Sequence, residues 1–190
     1  MAKKQYKFID LFAGIGGFHT AMHSVGGKCV FASEWDKNAR ISYEANYKTI
    51  EPNLFKKDKD GNYLYFNEDI NDAVPSKIPN FDICCGGFPC QPFSVAGLKR
   101  GFEDTRGTLF FNIANIIKEK IEAGYPPRVL FLENVRGLVT HDKGATIKKI
   151  VEETIGKKIA SLGLTLVSVS SGTSGEYGYY TNYKCVEVRW

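Results

Sequence analysis

Cys90 is the residue of this sequence whose surroundings best suit nucleophilic chemistry. It lies in the segment GGFPCQPFS, where Pro89 and Pro92 stiffen the backbone and two glycines permit an unusual chain path. The segment follows a short apolar run, so Cys90 is expected on a loop at the end of a strand, where a thiol is placed for reaction. Cys84 and Cys85 lie inside the apolar run, which is typical of inert core cysteines. We therefore predict that Cys90 is a nucleophile.

A carboxylate that could assist such a nucleophile follows a second apolar run. In the segment VLFLENVRG, Glu133 and Asn134 stand at the end of the predicted strand. Parallel α/β sheets carry their functional residues at the carboxyl ends of the strands, so these residues and Cys90 are expected at the same edge. There Glu133 is placed to act as an acid or as a hydrogen-bonding partner for a bound substrate.

A glycine-rich turn follows the first predicted strand. The segment FAGIGGF places Gly14, Gly16 and Gly17 at the turn from that strand into a helix. Glycines there let the backbone approach a nucleotide-like cofactor closely, although tight turns also use glycine for structural reasons alone. His19 occupies the position of the third glycine in the pattern GxGxxG, which argues against a dinucleotide.

Two further strand ends carry groups that suit a nucleoside. Glu34 ends the second predicted strand and could hold ribose hydroxyls, while the indole of Trp35 offers a face for an adenine ring. Asp69 and Ile70, at the end of a third predicted strand that lies between KCVFAS and FDICC, add a carboxylate and an apolar contact where an adenine edge would lie. Taken alone, Glu34 and Trp35 are also compatible with a solvent-exposed carboxylate and a core indole. Together, the three strand ends predict a nucleoside-binding pocket.

Strand-like and helix-like segments alternate along the chain and would position these residues. The strand-like segments are KFIDLF, KCVFAS, FDICC and VLFLE, and the helix-like ones are FHTAMHSV, a segment opening near Asp36, LFFNIANIIKEKI and ATIKKIVEETIGKKIASL. This order predicts an α/β fold, a doubly wound and mostly parallel sheet with helices on both faces. The predicted buried stripe of the first helix comprises Phe18, Ala21, Met22 and Val25. Gly26 is expected to end this helix, as Gly163 ends the last one.

Two segments do not follow the alternation. Residues Glu51 to Tyr65 are polar and lysine-rich, with a turn at Asp60 and Gly61, and predict an excursion before the third strand. Residues Ser170 to Asn182 are rich in Ser, Gly, Thr and Tyr, which predicts a loop or loose hairpin before a last strand in KCVEVRW.

Length and composition limit the class of protein. The 190 residues, 43% hydrophobic and 24% charged, suit one globular domain over residues 1–190. No apolar run approaches the roughly 20 residues that span a bilayer, and the N-terminus lacks a secretory signal, so a cytoplasmic protein without a membrane partner is expected. The five cysteines form no CxxC pair and the three histidines do not cluster, which argues against a metal site. The net charge of +4 suits a polyanionic partner without requiring one.

The motifs together resemble a known family. The order of FAGIGGF, EW, DI, GGFPCQPFS, DTRGTLFF and LENV, with the spacing between them, is closely similar to that of the C5-cytosine DNA methyltransferases, from Phe8 to about Ser161. The combination of PCQ with ENV is highly specific. The resemblance implies a Rossmann-like S-adenosylmethionine-dependent methyltransferase that acts on carbon 5 of cytosine in double-stranded DNA. The family's frequent place in restriction-modification systems makes protection of host DNA the expected biology.

The resemblance also assigns residues to the cofactor. It places at S-adenosylmethionine the residues Phe12, Ala13, Gly14, Ile15, Gly16, Gly17, Glu34, Trp35, Asp69, Ile70, Gly87, Pro89 and Leu109. Among them, Glu34 is expected to bind the ribose and Trp35 to stack on the adenine. Asp69 is expected at the adenine edge, with Ile70 beside it.

The same resemblance implies a covalent mechanism. The thiolate of Cys90 would add to C6 of cytosine, which makes C5 nucleophilic, while Glu133 holds the ring at N3 and the exocyclic amino group. Gln91 and Asn134 complete the catalytic set, Asn134 by orienting the Cys90 loop. Because a cytosine stacked in a duplex cannot react, it must be rotated out. The residues expected at the substrate or the DNA are Phe88, Ser94, Lys99, Arg100, Arg106 and Arg136. Ser94, Lys99, Arg100 and Arg106 could bind phosphates or hold the loop closed, although basic loop residues are often only solvated.

The chain departs from complete members of the family after the matched part. The target-recognition region is absent, and the last segment, GTSGEYGYYTNYKCVEVRW, has no QxRxR-type motif. Three explanations are open: a split enzyme whose second polypeptide supplies recognition, a truncation, or a degenerate copy without turnover. Two other functions compete with DNA methylation, namely a non-catalytic cofactor-binding or regulatory module and methylation of a transfer RNA cytosine. Intact Cys90 and Glu133 favour a catalytic protein, and PFS after PCQ favours DNA.

Overall fold

The computed structural model describes residues 5–89, 108–135, 165–171 and 182–186. The strands in these ranges are β1 (Lys7–Leu11), β2 (Lys28–Ser33), β3 (Phe66–Asn67), β4 (Ile83–Gly86), β5 (Val129–Val135), β6 (Thr165–Ser171) and β7 (Asn182–Val186), and the α-helices are α1 (Gly17–Ser24), α2 (Lys37–Tyr47) and α3 (Thr108–Glu122). Two short 3₁₀ turns, Ile70–Asp72 and Pro75–Lys77, follow β3. Among the helices of these ranges, none is long and apolar enough to cross a membrane.

The seven strands form one sheet in the order β3-β2-β1-β4-β5-β6-β7. Every neighbouring pair is parallel except β6 and β7, which are antiparallel. The strand order reverses between β1 and β4, because the chain first moves outward from β1 through β2 to β3 and then returns to the other side of β1. This confirms the predicted doubly wound, mostly parallel sheet. Such a reversal leaves a crevice at the carboxyl ends of the strands, which is where folds of this class bind ligands.

Alternating side chains along the central strands divide the core between the two faces of the sheet. Phe8 and Cys85 belong to a buried cluster that includes residues of α2. Ile9, Leu11 and Cys84 belong to a second cluster that includes residues of α3. The described helices therefore cover both faces, as predicted, and the strands between them are mainly apolar on both sides, with Asp10 of β1 as a buried polar residue.

The first helix differs in part from its predicted pattern. Gly26 follows α1 with a left-handed φ of 84°, which confirms the glycine stop. The buried stripe was wrong at Ala21 and Val25, which are exposed, whereas His19 is fully buried. The helix ends before Val25, so this residue does not continue the stripe. His19 can enter the core because its Nδ1 lies 2.7 Å from the hydroxyl of Tyr43.

The second helix begins where it was predicted. Asp36 caps α2. Its carboxylate accepts a hydrogen bond of 2.7 Å from the backbone N–H of Ala39, in the first turn of the helix. The following segment contains the predicted turn, with Gly61 at a φ of 87°. It is nevertheless more than a polar excursion, because Leu54 and Phe55 are buried in the cluster that includes α2.

The last two described strands form the antiparallel edge of the sheet. β6 and β7 pair in antiparallel fashion, and β7 overlaps the predicted final strand at residues 184–186, whereas residues 172–181 of the predicted loop or hairpin lie outside the described residues. β6 itself was not predicted, although its alternating segment TLVSVSS is typical of a strand. The helix predicted over ATIKKIVEETIGKKIASL lies outside the described residues.

Candidate functional site

Five neighbouring strands of the sheet, β3, β2, β1, β4 and β5, bring one row of residues to the same edge. Backbone pairing aligns Asn67, Ser33, Leu11 and Gly86, the last residues of β3, β2, β1 and β4, with Leu132 inside β5. The residues that follow them form what we call the strand-end row, which consists of Glu68, Glu34, Phe12, Gly87 and Glu133. All of these except Glu68 are predicted site residues. The fold therefore brings together, at one edge, groups that are far apart along the chain.

The glycine-rich turn leaves β1 with three residues in the left-handed backbone region. The φ angles are 57° at Phe12, 55° at Gly14 and 98° at Gly16. The backbone N–H of Ala13 donates to Ser33 at 3.0 Å, and that of Gly16 donates to Ala13 at 2.9 Å. A left-handed conformation costs a residue other than glycine about 1–2 kcal/mol, so the geometry of Phe12 is imposed by its surroundings. Such strain is concentrated at functional sites, which supports this turn as one.

The glycines of the turn have different surroundings. A Cβ built at Gly14 or Gly17 would have no atom within 4 Å, apart from the local chain. The same atom at Gly16 would overlap the ring of Tyr47. Ile15, which lies between Gly14 and Gly16, is 66% exposed. A ligand can therefore approach the backbone at Gly14 and Gly17, whereas glycine at position 16 is required by packing.

Glu34 and Trp35 present an oriented carboxylate beside an exposed indole. The backbone N–H of Gly14 donates to Oε2 of Glu34 at 2.7 Å, and that of Asp36 donates to Oε1 at 2.7 Å. Each oxygen keeps capacity for another hydrogen bond, so the carboxylate is fixed and can still accept from a pair of hydroxyls. Trp35 is 71% exposed, which excludes the alternative of a core indole in this structure. A large apolar face next to a fixed acceptor suits a nucleoside.

Arg40 of α2 was missed by the sequence analysis, yet it connects this region. Its Nη1 donates to the backbone carbonyls of Glu34 at 3.1 Å and Trp35 at 2.6 Å. Its Nη2 lies 2.6 Å from a carboxylate oxygen of Glu68. The guanidinium thus links the end of β2 to the end of β3. An arginine in the first turns of an amphipathic helix carries no functional signal in one sequence, because most such residues are solvated.

Asp69 and Ile70 lie beside the row, in the 3₁₀ turn after β3. Oδ1 of Asp69 accepts from the backbone N–H of Asn71 at 2.9 Å and from its side-chain amide at 2.8 Å. Ile70 is 5% exposed and belongs to the core cluster that includes residues of α3. Asn112 of α3 donates to the side chain of Asn71 at 2.9 Å, and Leu109 packs half-buried on the same cluster. The start of α3 is therefore joined to this turn.

Gly87 and the carboxylate of Glu133 lie close together on the other side of β1. A Cβ at Gly87 would lie 3.2 Å from Oε2 of Glu133, so the lack of a side chain lets this carboxylate approach the backbone. Gly87 precedes Cys90 by three residues. Phe88 is 4% exposed and packs with Phe110, and its place at the substrate or the DNA stays a prediction. The burial of Phe88 fixes the start of the Cys90 segment to α3.

Several predicted residues lie outside the described ranges. These are Cys90, Gln91, Ser94, Lys99, Arg100, Arg106 and Arg136, whose roles stay predictions. Asn134 lies in β5, where its backbone is in register with Ser170 of β6. Pro89 is half-buried and is the last described residue before Cys90.

The described cysteines have the character of core residues. Cys29, Cys84 and Cys85 are buried and free, which confirms the interpretation of Cys84 and Cys85 as inert. Burial raises the pKa of each of these thiols well above its usual value, so thiolate is disfavoured. Among the described residues, no three His, Cys, Asp or Glu side chains are grouped in a way that could hold a metal ion.

A buried polar chain behind the turn was also missed by the sequence analysis. Asp10 is fully buried, and the hydroxyl of Tyr43 donates to its Oδ2 at 3.3 Å. Burial raises the pKa of Asp10 to about 8, so most of this carboxyl is neutral at pH 7. Burial also lowers the pKa of His19 to about 4, which keeps its imidazole neutral. The chain from Asp10 through Tyr43 to His19 therefore brings little net charge into the core.

Comparison with known proteins gives consistent matches over most of the chain. A sequence profile described as C-5 cytosine-specific DNA methylase matches residues 6–156. The type II methyltransferase M.HpaII of Haemophilus parainfluenzae is 49% identical over 152 residues, which cover 78% of this chain and 37% of that protein. M.HaeII of Haemophilus aegyptius is 48% identical over 163 residues, which cover 86% of this chain and 43% of that protein. This chain therefore spans about two fifths of the length of the curated relatives it matches.

Solved structures show a similar fold at lower sequence identity. The Dnmt2 methyltransferase of S. pombe superposes with a TM-score of 0.54 and 20% identity, covering 78% of this chain and 40% of that one. A putative DNA modification methyltransferase encoded within a prophage of E. coli gives a TM-score of 0.55 and 22% identity, covering 80% of this chain and 38% of that one. These likenesses concern the fold, and they agree with the doubly wound sheet described above.

Proposed function

Because this chain belongs to the family of C-5 cytosine-specific DNA methylases, we propose that it forms the cofactor-binding and catalytic part of an enzyme that methylates carbon 5 of cytosine in DNA. The observation that carries the proposal is the strand-end row. The glycine-rich turn and Glu34 lie on one side of the reversal in strand order, and Gly87 with Glu133 lies on the other. A cofactor bound at the first group would meet a base bound at the second.

The turn side of the row fits S-adenosylmethionine. Its support is the open space beside Gly14 and Gly17, the exposed indole of Trp35 and the fixed carboxylate of Glu34. When bound, S-adenosylmethionine supplies an electrophilic methyl group on a sulfonium. Glu34 would accept hydrogen bonds from the ribose hydroxyls, Trp35 would stack on the adenine, and Asp69 would lie at the adenine edge.

The other side of the row, with Gly87 and Glu133, fits a cytosine that Cys90 would activate for methyl transfer. The thiolate of Cys90 would form a bond to C6, and the electrons of the C5–C6 double bond would then be available at C5 to take the methyl group. Loss of the C5 proton and expulsion of the thiolate would restore the double bond. With its carboxyl group protonated, Glu133 would donate a hydrogen bond to N3 and accept one from the exocyclic amino group, and so stabilise the negative charge that thiolate addition places on the ring. The approach of the Glu133 carboxylate to Gly87 supports this pairing, because it brings the carboxylate to the start of the Cys90 segment.

Double-stranded DNA is the proposed substrate because relatives of nearly half identity are type II methyltransferases, which also favours a restriction-modification setting. The target cytosine would have to leave the stack. The basic residues Lys99, Arg100, Arg106 and Arg136 would be available to phosphates, and the net charge of +4 is compatible with such a partner. Recognition of a target sequence would require the part of the relatives that this chain does not span.

Methyl transfer provides the test of the proposal. Labelled S-adenosylmethionine and mixed-sequence duplex DNA would be incubated with the chain alone and with the chain joined to the remaining C-terminal part of M.HpaII. We expect 5-methylcytosine from the joined protein and none from its Cys90→Ala variant, because the thiolate that activates C5 is absent. DNA containing 5-fluorocytosine should trap a covalent adduct, since fluorine replaces the proton that must leave.

The outcomes separate the candidate functions. Methylation by the chain alone would show that it needs no added part. Binding of S-adenosylmethionine without methylation in either form would contradict the catalytic proposal and favour a regulatory module. Methylation of transfer RNA but not of DNA would favour the RNA alternative. A chain that failed to bind S-adenosylmethionine even at millimolar concentration would contradict the cofactor assignment.

A further inference from the structure

Tyr47 is the last residue of α2, and its side chain reaches the glycine-rich turn. Its hydroxyl donates to the carbonyl oxygen of Gly16 at 2.7 Å, and Oγ1 of Thr20 lies 2.6 Å from the same hydroxyl. Thr20 belongs to α1, and its backbone N–H also donates to the Gly16 carbonyl, at 2.9 Å. Tyr47 is 6% exposed, so these bonds are shielded from water and strengthened. The Gly16 carbonyl is therefore held by two helices.

The ring of Tyr47 also fills the space beside Gly16. A Cβ built at Gly16 would lie 2.7 Å from Cζ of Tyr47 and closer still to Cε2, which real side chains do not tolerate. The imidazole of His19 stacks on the Tyr47 ring, with centroids 3.7 Å apart and planes 8° from parallel. The position of the ring is thus fixed from both sides, and only glycine fits at position 16.

Both backbone polar groups of Gly16 form hydrogen bonds within the protein. Its N–H donates to Ala13, and its carbonyl accepts from Tyr47 and Thr20. Gly14 and Gly17, in contrast, have open space beside their Cα atoms. The turn therefore has one side that packs on Tyr47 and another side that a ligand can approach.

We propose that Tyr47 is a positioning residue, which holds the glycine-rich turn in the shape that binds S-adenosylmethionine before the cofactor arrives. This inference rests on the proposed function, since it takes S-adenosylmethionine as the ligand of the turn. A turn that is already ordered loses less conformational entropy on binding, which raises affinity. Loss of the hydroxyl alone would keep the ring and its packing but would remove the bond from α2 and leave the Gly16 carbonyl held by Thr20 alone.

Calorimetric titration of the full chain with S-adenosylmethionine tests the proposal with Tyr47→Phe. We expect the Kd to rise about fivefold, which corresponds to the loss of one hydrogen bond of ordinary strength. The matched control is Tyr63→Phe, which loses a hydroxyl that donates to Glu44 of α2 at 2.6 Å. Its Kd should equal that of the wild type. An unchanged Kd in Tyr47→Phe, or an equal rise in both variants, would overturn the proposal.

Hydrogen exchange of the unliganded chain separates this inference from the proposed function. Amides of residues 12–17 should exchange faster in Tyr47→Phe than in the wild type or in Tyr63→Phe. If the wild type bound no S-adenosylmethionine but showed this difference, the proposed cofactor would be wrong while Tyr47 still positioned the turn. Unchanged exchange would overturn the positioning role. Should Tyr47→Phe not fold, Thr20→Val removes a partner of the same hydroxyl, and wild-type exchange and Kd in that variant would also count against the proposal.

Discussion

Asp10 and His19 are buried ionisable residues that share Tyr43 and respond to pH in opposite directions. The pKa of Asp10 is raised from 3.8 to about 8, so its contribution to stability is complete below pH 3.8 and decreases as the pH rises to about 8. The pKa of His19 is lowered from 6.5 to about 4, so its contribution is complete above pH 6.5 and is lost as the pH falls to about 4. The two effects oppose each other between about pH 4 and 6.5, and Asp10 alone weakens the fold from there to about pH 8.

The variant Asp10→Asn should remove the Asp10 contribution and keep the side-chain volume. We expect the free energy of unfolding of the wild type, minus that of the variant, to fall by at most about 1.4 kcal/mol per pH unit between about pH 5 and 8. Urea unfolding of both proteins across this range measures the difference. His19→Asn is the control. The free energy of unfolding of the wild type, minus that of this variant, should increase as the pH rises to about 6.5 and should stay constant above that pH. A pH-independent difference for Asp10→Asn would show that this carboxyl is not neutral in the core.

Arg40 allows a second prediction at the level of one side chain. Arg40→Met keeps an apolar stem but removes the donors to the carbonyls of Glu34 and Trp35. We expect the Kd for S-adenosylmethionine to rise roughly three- to tenfold in calorimetry, because the carboxylate and indole lose their common support. Lys48→Met provides the comparison, because it removes another ion pair of α2, with Glu44 at 2.7 Å. Equal weakening by the two variants would mean that Arg40 acts only through general stability of the helix.

Among the elements, α2 supports the proposed cofactor side of the site at both of its ends. Its first turns carry Arg40, its last residue is Tyr47, and Asp36 caps its start. Asp36→Ala should lower the free energy of unfolding by about 1 kcal/mol, the usual cost of a lost N-cap, and should also weaken binding of S-adenosylmethionine. Thermal unfolding and calorimetry measure the two effects.

The control for this cap is Asp58→Ala. Asp58 accepts the backbone N–H groups of Asp60 and Asn62 at 2.9 Å each, so it also organises a turn, but one outside α2. Its loss should leave the affinity for S-adenosylmethionine unchanged. If affinity fell in Asp58→Ala as much as in Asp36→Ala, the special role of α2 would be refuted.

The central strands protect their cysteines from chemical modification. Cys29 of β2 and both Cys84 and Cys85 of β4 are buried, and burial raises the pKa of each thiol. Iodoacetamide at pH 8 should therefore label Cys90 far faster than these three cysteines in the folded chain, and all should react alike in urea. Peptide mass spectrometry gives the extent at each position. Rapid labelling of Cys84 or Cys85 without denaturant would contradict the described core.

For the whole molecule, β6 covers the edge of the strand that carries Glu133. β5 and β6 pair in parallel along their full lengths, from Val129 with Thr165 to Val135 with Ser171. Deletion of residues 165–190 would expose the backbone N–H and carbonyl groups of β5, which is a cause of aggregation. We expect this deletion to lower stability and to give oligomers in size-exclusion chromatography. Deletion of residues 187–190, which follow β7, should leave a monomer of nearly wild-type stability, and identical behaviour of the two deletions would contradict this account.

The sequence alone predicted the central sheet and the motif-bearing strand ends, because strands buried on both faces are continuous apolar runs. The predicted segment KCVFAS coincides with β2, and the cap at Asp36 and the glycine stop at Gly26 were equally readable. The contacts of Arg40 and Tyr47 were not, since they join residues that only the folded chain brings together. The burial of His19 was missed for a related reason: its polar ring is stable in the core only with the hydroxyl of Tyr43 beside it.

The strand-end row also determines which genetic changes the site can survive. Substitutions change one group at a time, so their effects on the row should be graded. A single-codon insertion or deletion within β1, β2, β4 or β5 would instead move the following residue out of register and would turn the rest of that strand to the opposite face. Length changes of the central strands should therefore be almost absent from any selected library of functional variants, whereas the turn at Asp60 and Gly61, away from the row, should accept them.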